Sequence, residues 1–277
     1  MTATFTVACV QSRATPDHAR SVAEALDLAA QAVAAGAQLV TLPEAFDCLV
    51  PTRAELLDYV RPEDSHAAVL ACAAFAQSHA VWLLAGSVSV LGEHGRPANR
   101  SLLFAPDGTV AARYDKIHMF DVHLPNGDTF RESDFYEAGR RAVVTPLPWG
   151  NLGLSICYDV RFPYLHRALA GHGAAMIAAP AAFSSMTGPL HWEPLLRARA
   201  IETGCFVVAP AQCGHHYGAR YSHGHSLIVD PWGRVLAEAE DEPGFIVADL
   251  DLAEVARFRA AIPSLAPDRA FVVESAA

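Results

Sequence analysis

The sequence has 277 residues, of which 52% are hydrophobic and 18% charged, and its formal net charge is −10. This composition fits a folded chain with a sizeable core, and the length fits one large α/β domain or two ordinary ones, of which we expect one over residues 1–277. The negative charge, with no basic stripe, argues against nucleic-acid binding. No apolar run reaches the roughly 18 residues of a membrane span, and the N-terminus lacks the pattern of a signal peptide.

The cysteines are spread along the chain and form no C-x-x-C pair. Most lie in apolar runs, which is typical of reduced core cysteines, so we expect a cytoplasmic protein. They are Cys9, Cys48, Cys72, Cys157, Cys205 and Cys213.

Short apolar runs alternate with helical patterns and turn signals along the chain, which predicts an α/β protein. The predicted strands cover 4–9, 39–42, 81–90, 101–104, 110–114, 152–156, 175–179, 206–209, 226–229, 235–238 and 245–249. The predicted helices cover 18–35, 65–79, 163–170, 190–203 and 252–260. Residues 117–142 are predicted to be a long polar loop, and loops of that length are usually functional.

Two stretches of the first half repeat in the second half, in the same order. Residues 36–46 match 173–183, and residues 101–110 match 226–235. Common turn chemistry could produce such matches, but an internal two-fold repeat would give two sheets packed face to face with helices outside. The sequence therefore predicts a four-layer αββα sandwich. The first copy has Glu44 where the second has Ala181, and an ionisable residue just past a buried strand suggests a function.

Three ionisable residues stand at strand ends: Glu44, Lys116 and Cys157. At a strand-to-helix turn the Cys157 thiol would face backbone N–H groups and a positive helix end, which predicts a lowered thiol pKa. Glu44 could take the thiol proton if its pKa were raised toward neutrality. Lys116 and the backbone N–H of Tyr158 could stabilise an oxyanion. Taken singly, each residue also has a purely structural interpretation: Cys157 as a core thiol, Glu44 as a solvated loop acid and Lys116 as a surface charge.

Three motifs decide between these interpretations: Leu42-Pro-Glu44-Ala-Phe46, Tyr114-Asp-Lys116-Ile-His-Met-Phe120 and Cys157-Tyr-Asp-Val-Arg-Phe-Pro163. They resemble the glutamate, lysine and cysteine motifs of the nitrilase superfamily of carbon–nitrogen hydrolases. The resemblance covers nearly the whole chain. It implies an αββα sandwich, a dimer or larger oligomer, and no cofactor.

The resemblance also implies a role for each motif residue. Glu44 would be the general base, Lys116 the oxyanion stabiliser and Cys157 the nucleophile. Glu132, in Arg131-Glu-Ser133, falls where family members carry a second glutamate that orients substrate and lysine. The implied reaction is amide hydrolysis through a thioester on the cysteine.

Residues 117–125, 187–193, 195–203 and 207–214 resemble the branch of that family that contains deaminated glutathione amidase and ω-amidase. The implied substrate is an α-keto acid amide with a carboxylate, and Arg131, Phe183 and Thr187 are the candidate substrate-binding residues. Arg161 is expected to pair structurally with Asp159 instead. A nitrilase, an N-carbamoyl amidohydrolase or an inactive binding member of the fold remain alternatives.

A histidine-rich stretch raises the possibility of a metal site. Zinc could bind histidines there, but neighbouring side chains of an extended loop point apart and no acidic or cysteine ligand has motif spacing. We therefore expect no metal. The histidines are His191, His215, His216, His223 and His225.

Overall fold

Short strands and helices alternate along the described residues of the computed structural model, which are 4–125, 127–266, 270 and 272–275. The strands are β1 Thr4–Gln11, β2 Leu39–Thr41, β3 Trp82–Leu91, β4 Pro97–Phe104, β5 Val110–Asp115, β6 Asp121–His123, β7 Thr129–Arg131, β8 Val143–Pro146, β9 Asn151–Leu154, β10 Met176–Ala178, β11 Phe206–Ala209, β12 Cys213–Tyr217, β13 Arg220–His223, β14 Leu227–Val229, β15 Val235–Glu238 and β16 Gly244–Asp251. The helices are α1 His18–Ala34, α2 Arg53–Tyr59, α3 Ala67–His79, α4 Pro163–Gly171, α5 Gly188–Thr203 and α6 Ala253–Ala261.

Two six-stranded sheets share one strand order and one pairing pattern. The first has the order β16-β1-β2-β3-β4-β5 and the second β8-β9-β10-β11-β14-β15. In each sheet the second, third and fourth strands pair in parallel, and the other neighbours are antiparallel. This agreement confirms the predicted internal two-fold repeat.

The turns that enter β2 and β10 explain one part of the sequence repeat. Gly36 has φ of 98° and Gly173 has φ of 91°, a region that side chains with a Cβ rarely adopt. The chain leaves a helix and enters a parallel strand at both points. The repeated glycines therefore reflect a turn conformation that both halves need.

Alternating side chains divide each sheet between two cores, because successive residues of a strand point to opposite faces. The inner faces of both sheets meet in one core that includes Val7, Leu84, Leu152 and Met176. Outer-face residues of the first sheet, such as Leu83, pack with α1 and α3, and those of the second, such as Ile177, pack with α4. The four-layer αββα sandwich predicted from the sequence is confirmed.

Two stretches predicted as loops contain regular structure, and one helix was not predicted. Residues 117–142 include the hairpin of β6 and β7 and a 3₁₀ turn at Glu132–Asp134, and the histidine-rich stretch forms the hairpin of β12 and β13. Helix α2 was also missed, although Thr52 and Glu55 form a capping box at its start. These elements are short, so hydrophobic periodicity cannot reveal them.

The cysteines agree with the sequence expectation, since all six are free and buried. Among the described residues, no helix is both long and apolar enough to cross a membrane.

Candidate active site

Glu44, Lys116 and Cys157 meet in one cavity beyond the ends of β2, β5 and β9. The Lys116 Nζ lies 2.8 Å from Glu44 Oε1, and the Cys157 thiol lies beside the Glu44 carboxylate in the same cavity. The exposed fractions of the three residues are 6%, 2% and 8% in chain order. The structure thus brings together three residues that lie far apart in the sequence.

The carboxylate of Glu132 is the second one that contacts Lys116. Its Oε2 lies 2.8 Å from Lys116 Nζ and accepts a hydrogen bond of 2.6 Å from the Phe120 N–H. The 3₁₀ turn at Glu132–Asp134 carries it into the cavity, as the motif predicted. Lys116 is therefore held between two carboxylates.

Asn99 of β4 is a site residue that the sequence reasoning missed. Its Nδ2 donates to Glu44 Oε1 at 3.0 Å and to Glu132 Oε1 at 3.1 Å, so one amide bridges both carboxylates. The available signal was a polar residue within a buried strand, where an unsatisfied amide would be costly.

The turn that carries Cys157 has an unusual backbone. Cys157 has φ of 47°, and its N–H donates to Pro180 O at 2.8 Å. The following Asp159 accepts 2.6 Å hydrogen bonds from Tyr114 Oη and from His118 Nδ1, and one of 2.9 Å from the Ile156 N–H. Residues of the lysine motif therefore hold the cysteine turn through Asp159, which offsets the cost of a left-handed non-glycine residue.

The pKa shifts differ from the sequence expectations for both Glu44 and Cys157. Burial would raise the pKa of Glu44, but the charge and hydrogen bond of Lys116 and the Ala182 N–H bring it below its ordinary value. Burial and the Glu44 carboxylate hold the pKa of the Cys157 thiol well above its ordinary value, against the effect of Lys116. The expected lowered thiol pKa was wrong, and the raised carboxyl pKa that a base would need is not found, because the two groups are buried together beside a lysine.

Lys116 keeps its charge in this site. Burial alone would lower its pKa, but Glu132 and Glu44 raise it well above the ordinary value. The resting site therefore holds two carboxylates, an ammonium and a protonated thiol.

The expected pairing of Arg161 with Asp159 was wrong, because Tyr114 and His118 occupy that carboxylate. Arg161 instead lines the cavity, with its guanidinium 5.1 Å from the centre of the Phe183 ring and its Nη1 3.1 Å from His191 Nδ1.

A second arginine of the cavity, Arg220, was missed by the sequence reasoning. Its Nη2 donates to Ala182 O at 3.1 Å, and its guanidinium lies 5.1 Å from the centre of the Phe130 ring. Within the described part of the chain, no carboxylate pairs with Arg161 or Arg220. The cavity therefore has two cationic groups without an acidic partner.

The other predicted substrate-binding residues also line this cavity. They are Arg131, Phe183 and Thr187, together with Tyr158. Arg131 is largely exposed and lies 3.4 Å from Asp134, whereas Thr187 Oγ1 is buried and has no hydrogen-bond partner within the described part of the chain. Their roles in binding stay predictions.

The histidine-rich stretch uses its ring nitrogens within the protein. His215 contacts Gly218 O at 2.8 Å, and His225 Nδ1 lies 2.9 Å from Glu238 Oε1. His216 is buried between Ala14 O at 2.7 Å and Ser222 Oγ at 2.8 Å. These hydrogen bonds fix the β12–β13 hairpin and give the histidines a structural role.

Comparisons with known proteins identify the class of protein to which this site belongs. The model of the carbon–nitrogen hydrolase family matches residues 6–260, and the chain belongs to that family, in the nitrilase superfamily. It is an amide-hydrolysing enzyme.

The chain is similar over most of its length to individual members of this family. The chain is 43% identical to a deaminated glutathione amidase of Synechocystis over 94% of this chain and 97% of that protein. The crystal structure of the C. elegans NitFhit protein superposes with a TM-score of 0.87 at 35% identity, covering 96% of this chain and 65% of that one.

A third relative carries a covalently modified cysteine. It is a mutant amidase from Nesterenkonia sp. AN1 with the acetamide moiety of fluoroacetamide added to its active-site cysteine. Its TM-score is 0.77 at 29% identity, covering 93% of this chain and 94% of that one.

Proposed function

We propose that this enzyme hydrolyses an amide through a thioester on Cys157, with Glu44 as general base and Lys116 as oxyanion stabiliser. The observation that carries the proposal is the Glu44 carboxylate, which accepts a hydrogen bond from Lys116 Nζ and lies beside the Cys157 thiol within one buried cavity. A base must reach the proton that it abstracts, and this carboxylate lies near enough to the thiol to influence its pKa.

In the first step, Cys157 Sγ attacks the amide carbon while its proton moves to Glu44. The carbonyl oxygen gains negative charge, which Lys116 Nζ and the Tyr158 N–H stabilise. Glu44 then gives the proton to the leaving nitrogen, the C–N bond breaks and a thioester remains. A thiol with a raised pKa suits this route, because the proton leaves only as sulfur attacks.

In the second step, Glu44 takes a proton from a water molecule that attacks the thioester. Collapse of the tetrahedral intermediate breaks the C–S bond and releases the acid. The proton on Glu44 returns to the Cys157 sulfur, so the site regains its resting state. One carboxylate thus serves as base and acid in both halves of the reaction.

We assign Glu132 a positioning role. Its Oε1 and Oε2 contact Lys116, and its carboxylate is fixed by the Phe120 N–H and the Asn99 amide. Contacts with two carboxylates would keep this ammonium from swinging away from the reacting oxygen. This rigidity lowers the cost of arranging the oxyanion site during the reaction.

The substrate that fits this cavity best carries a carboxylate. Arg161 and Arg220 lie on its walls without acidic partners, and a buried anion needs such donors. Phe183 and Thr187 would contact the substrate chain, and the exposed Arg131 would attract it at the entrance. We therefore propose an α-keto acid amide of the deaminated-glutathione type, in keeping with the name of the Synechocystis relative.

A small substrate panel tests the substrate assignment. Product release is measured with deaminated glutathione, α-ketoglutaramate, an N-carbamoyl amino acid and an aliphatic nitrile. Deaminated glutathione should give the highest kcat/KM. Preference for one of the others would replace the substrate assignment by ω-amidase, N-carbamoyl amidohydrolase or nitrilase, with the same site residues.

A binding role without catalysis is the candidate from another class. The buried carboxylate, ammonium and thiol in mutual contact argue against it, because keeping them in a merely binding protein would be costly. Absence of turnover across the panel, together with tight binding of one member, would favour it.

We further propose that residues 1–277 form one domain of a cytoplasmic homodimer or larger homo-oligomer without a cofactor. The free, buried cysteines support a reducing compartment. Light scattering on the purified protein tests the oligomer, and a monomeric mass would overturn it.

A further inference from the structure

A second cluster of chemistry-bearing side chains lies outside the cavity, where three connecting segments meet. His18 begins α1, Asp47 follows β2 by a short loop, and His66 directly precedes α3. One ligand atom from each residue lies within 4.8 Å of the other two.

The distances in this cluster suit a shared metal ion better than hydrogen bonds. Asp47 Oδ2 lies 3.4 Å from His18 Nε2 and 3.7 Å from His66 Nε2. Good N–H···O hydrogen bonds are about 2.7–3.2 Å. Two ligands about 2.0–2.1 Å from a tetrahedral zinc ion are about 3.3 Å apart, close to the observed spacing.

His66 supplies an independent observation. Its exposed fraction is 1%, and neither of its ring nitrogens makes a hydrogen bond of normal geometry among the described residues, although the Ser89 backbone lies nearby. Buried polar groups are normally satisfied, so an imidazole without partners that faces a buried carboxylate needs an explanation. A coordinated cation would satisfy the Nε2 atom.

From these residues we propose that His18, Asp47 and His66 bind one Zn²⁺ ion. Two imidazoles and one carboxylate are ligands that zinc accepts, and a water molecule would complete the tetrahedron. Water can reach the cluster through His18, whose side chain is 14% exposed, whereas those of Asp47 and His66 are 3% and 1% exposed. The sequence reasoning had considered only His191 and the histidines of residues 215–225.

The ion would have a structural role. It would join the start of α1 and the segment before α3 to the loop that also carries Glu44, three residues before Asp47. We assign it no part in hydrolysis, because His18, Asp47 and His66 do not line the cavity that holds Glu44, Lys116 and Cys157. Removing zinc should therefore lower Tm and leave kcat nearly unchanged at temperatures where the protein stays folded.

Zinc content of the full-length protein tests the proposal. The protein is stripped with a chelator, incubated with equimolar Zn²⁺, passed through a desalting column and analysed for metal. We expect one equivalent in the wild type, with a rise in Tm on loading. We expect less than a tenth of an equivalent in Asp47→Asn and His66→Gln, and no Tm rise.

His166→Gln is the matched control, because His166 is also buried with an unpartnered Nε2 but lies outside the cluster. It should retain one equivalent. If the variants at the buried ligands Asp47 and His66 fail to fold, His18→Gln at the most exposed ligand replaces them and should likewise lose the bound zinc. Zinc retained equally by all folded variants, or absent from the wild type, would overturn the proposal.

Co²⁺ loading distinguishes these ligands from the cysteines. Visible bands of tetrahedral Co²⁺ without a near-ultraviolet sulfur-to-metal charge-transfer band are expected. A charge-transfer band would assign the metal to thiolates and contradict the site.

Discussion

The Ala182 N–H donates a hydrogen bond of 2.8 Å to Glu44 Oε2 and so connects the two halves of the repeat at the candidate active site. Glu44 belongs to the first copy, and Ala182 lies next to Ala181, which takes the place of Glu44 in the second. One copy thus supplies a carboxylate and the other a backbone donor. The repeat has become asymmetric where chemistry is needed, while its sheets have kept the same order.

Lys116→Met tests the oxyanion role. The thioether has a similar length but no charge, so the developing oxyanion would lose its ammonium partner. We expect kcat to fall by about 10²–10³-fold, the usual cost of one oxyanion donor. Arg131→Met, at an exposed cation of the cavity rim, is the control and should change kcat little. A Lys116→Met enzyme with near-normal kcat would contradict the role.

Asn99→Leu tests how the Glu44 carboxylate is kept ionised. As the proposed general base, Glu44 would act in its charged form, so activity should fall at acid pH as Glu44 is protonated. The Asn99 amide favours the charged form, and removing it should raise the pKa of Glu44. We expect the acid limb of kcat/KM to move upward by about one pH unit. Asn151→Leu, whose amide bonds Gly173 O far from the cavity, should leave that limb unchanged.

Arg220→Met tests the proposed carboxylate contact. Loss of a charged hydrogen bond is worth about 1.5–3 kcal/mol, so KM for an anionic amide should rise by about 10–100-fold. KM for a neutral amide of similar length should stay nearly the same. An equal rise for both substrates would show that Arg220 shapes the cavity rather than recognising charge.

Two buried histidines predict how stability depends on pH. Burial lowers the pKa of His166 and of His216 to about 4, below the ordinary 6.5. Between pH 6.5 and 4 these histidines bind protons in the unfolded chain but not in the folded one. Their contribution to the free energy of unfolding is therefore complete above pH 6.5 and is lost as the pH falls toward 4. Each histidine contributes on the order of 3 kcal/mol to this loss. Denaturant unfolding at pH 7 and 4.5 measures it, and His166→Gln should reduce the difference. An unchanged difference would contradict the assignment to His166.

The fold and the acid–lysine–cysteine grouping could be predicted because they leave direct marks in the sequence. The repeated Gly36 and Gly173 mark two equivalent turns, and each motif residue directly follows or lies near the end of an apolar strand. The pKa directions could not be predicted in this way. They depend on Glu44 and Cys157 being buried side by side, which no local pattern records.

Other site residues lie in segments whose structure the sequence does not reveal. Asn99 points into the cavity only because β4 pairs with β3 and β5 in a particular register. Arg220 comes from a hairpin with an irregular register, and His66 meets Asp47 only after the helices have packed. Contacts between distant segments therefore account for most of what was missed.

Mass spectrometry of the acid-quenched enzyme during turnover tests the central claim most directly. With an α-keto acid amide, a mass increase equal to the acyl group should appear on the peptide that contains Cys157, since acid preserves a thioester. Cys157→Ala should show neither the adduct nor product release. An acyl group on another residue, or turnover by Cys157→Ala, would contradict the account.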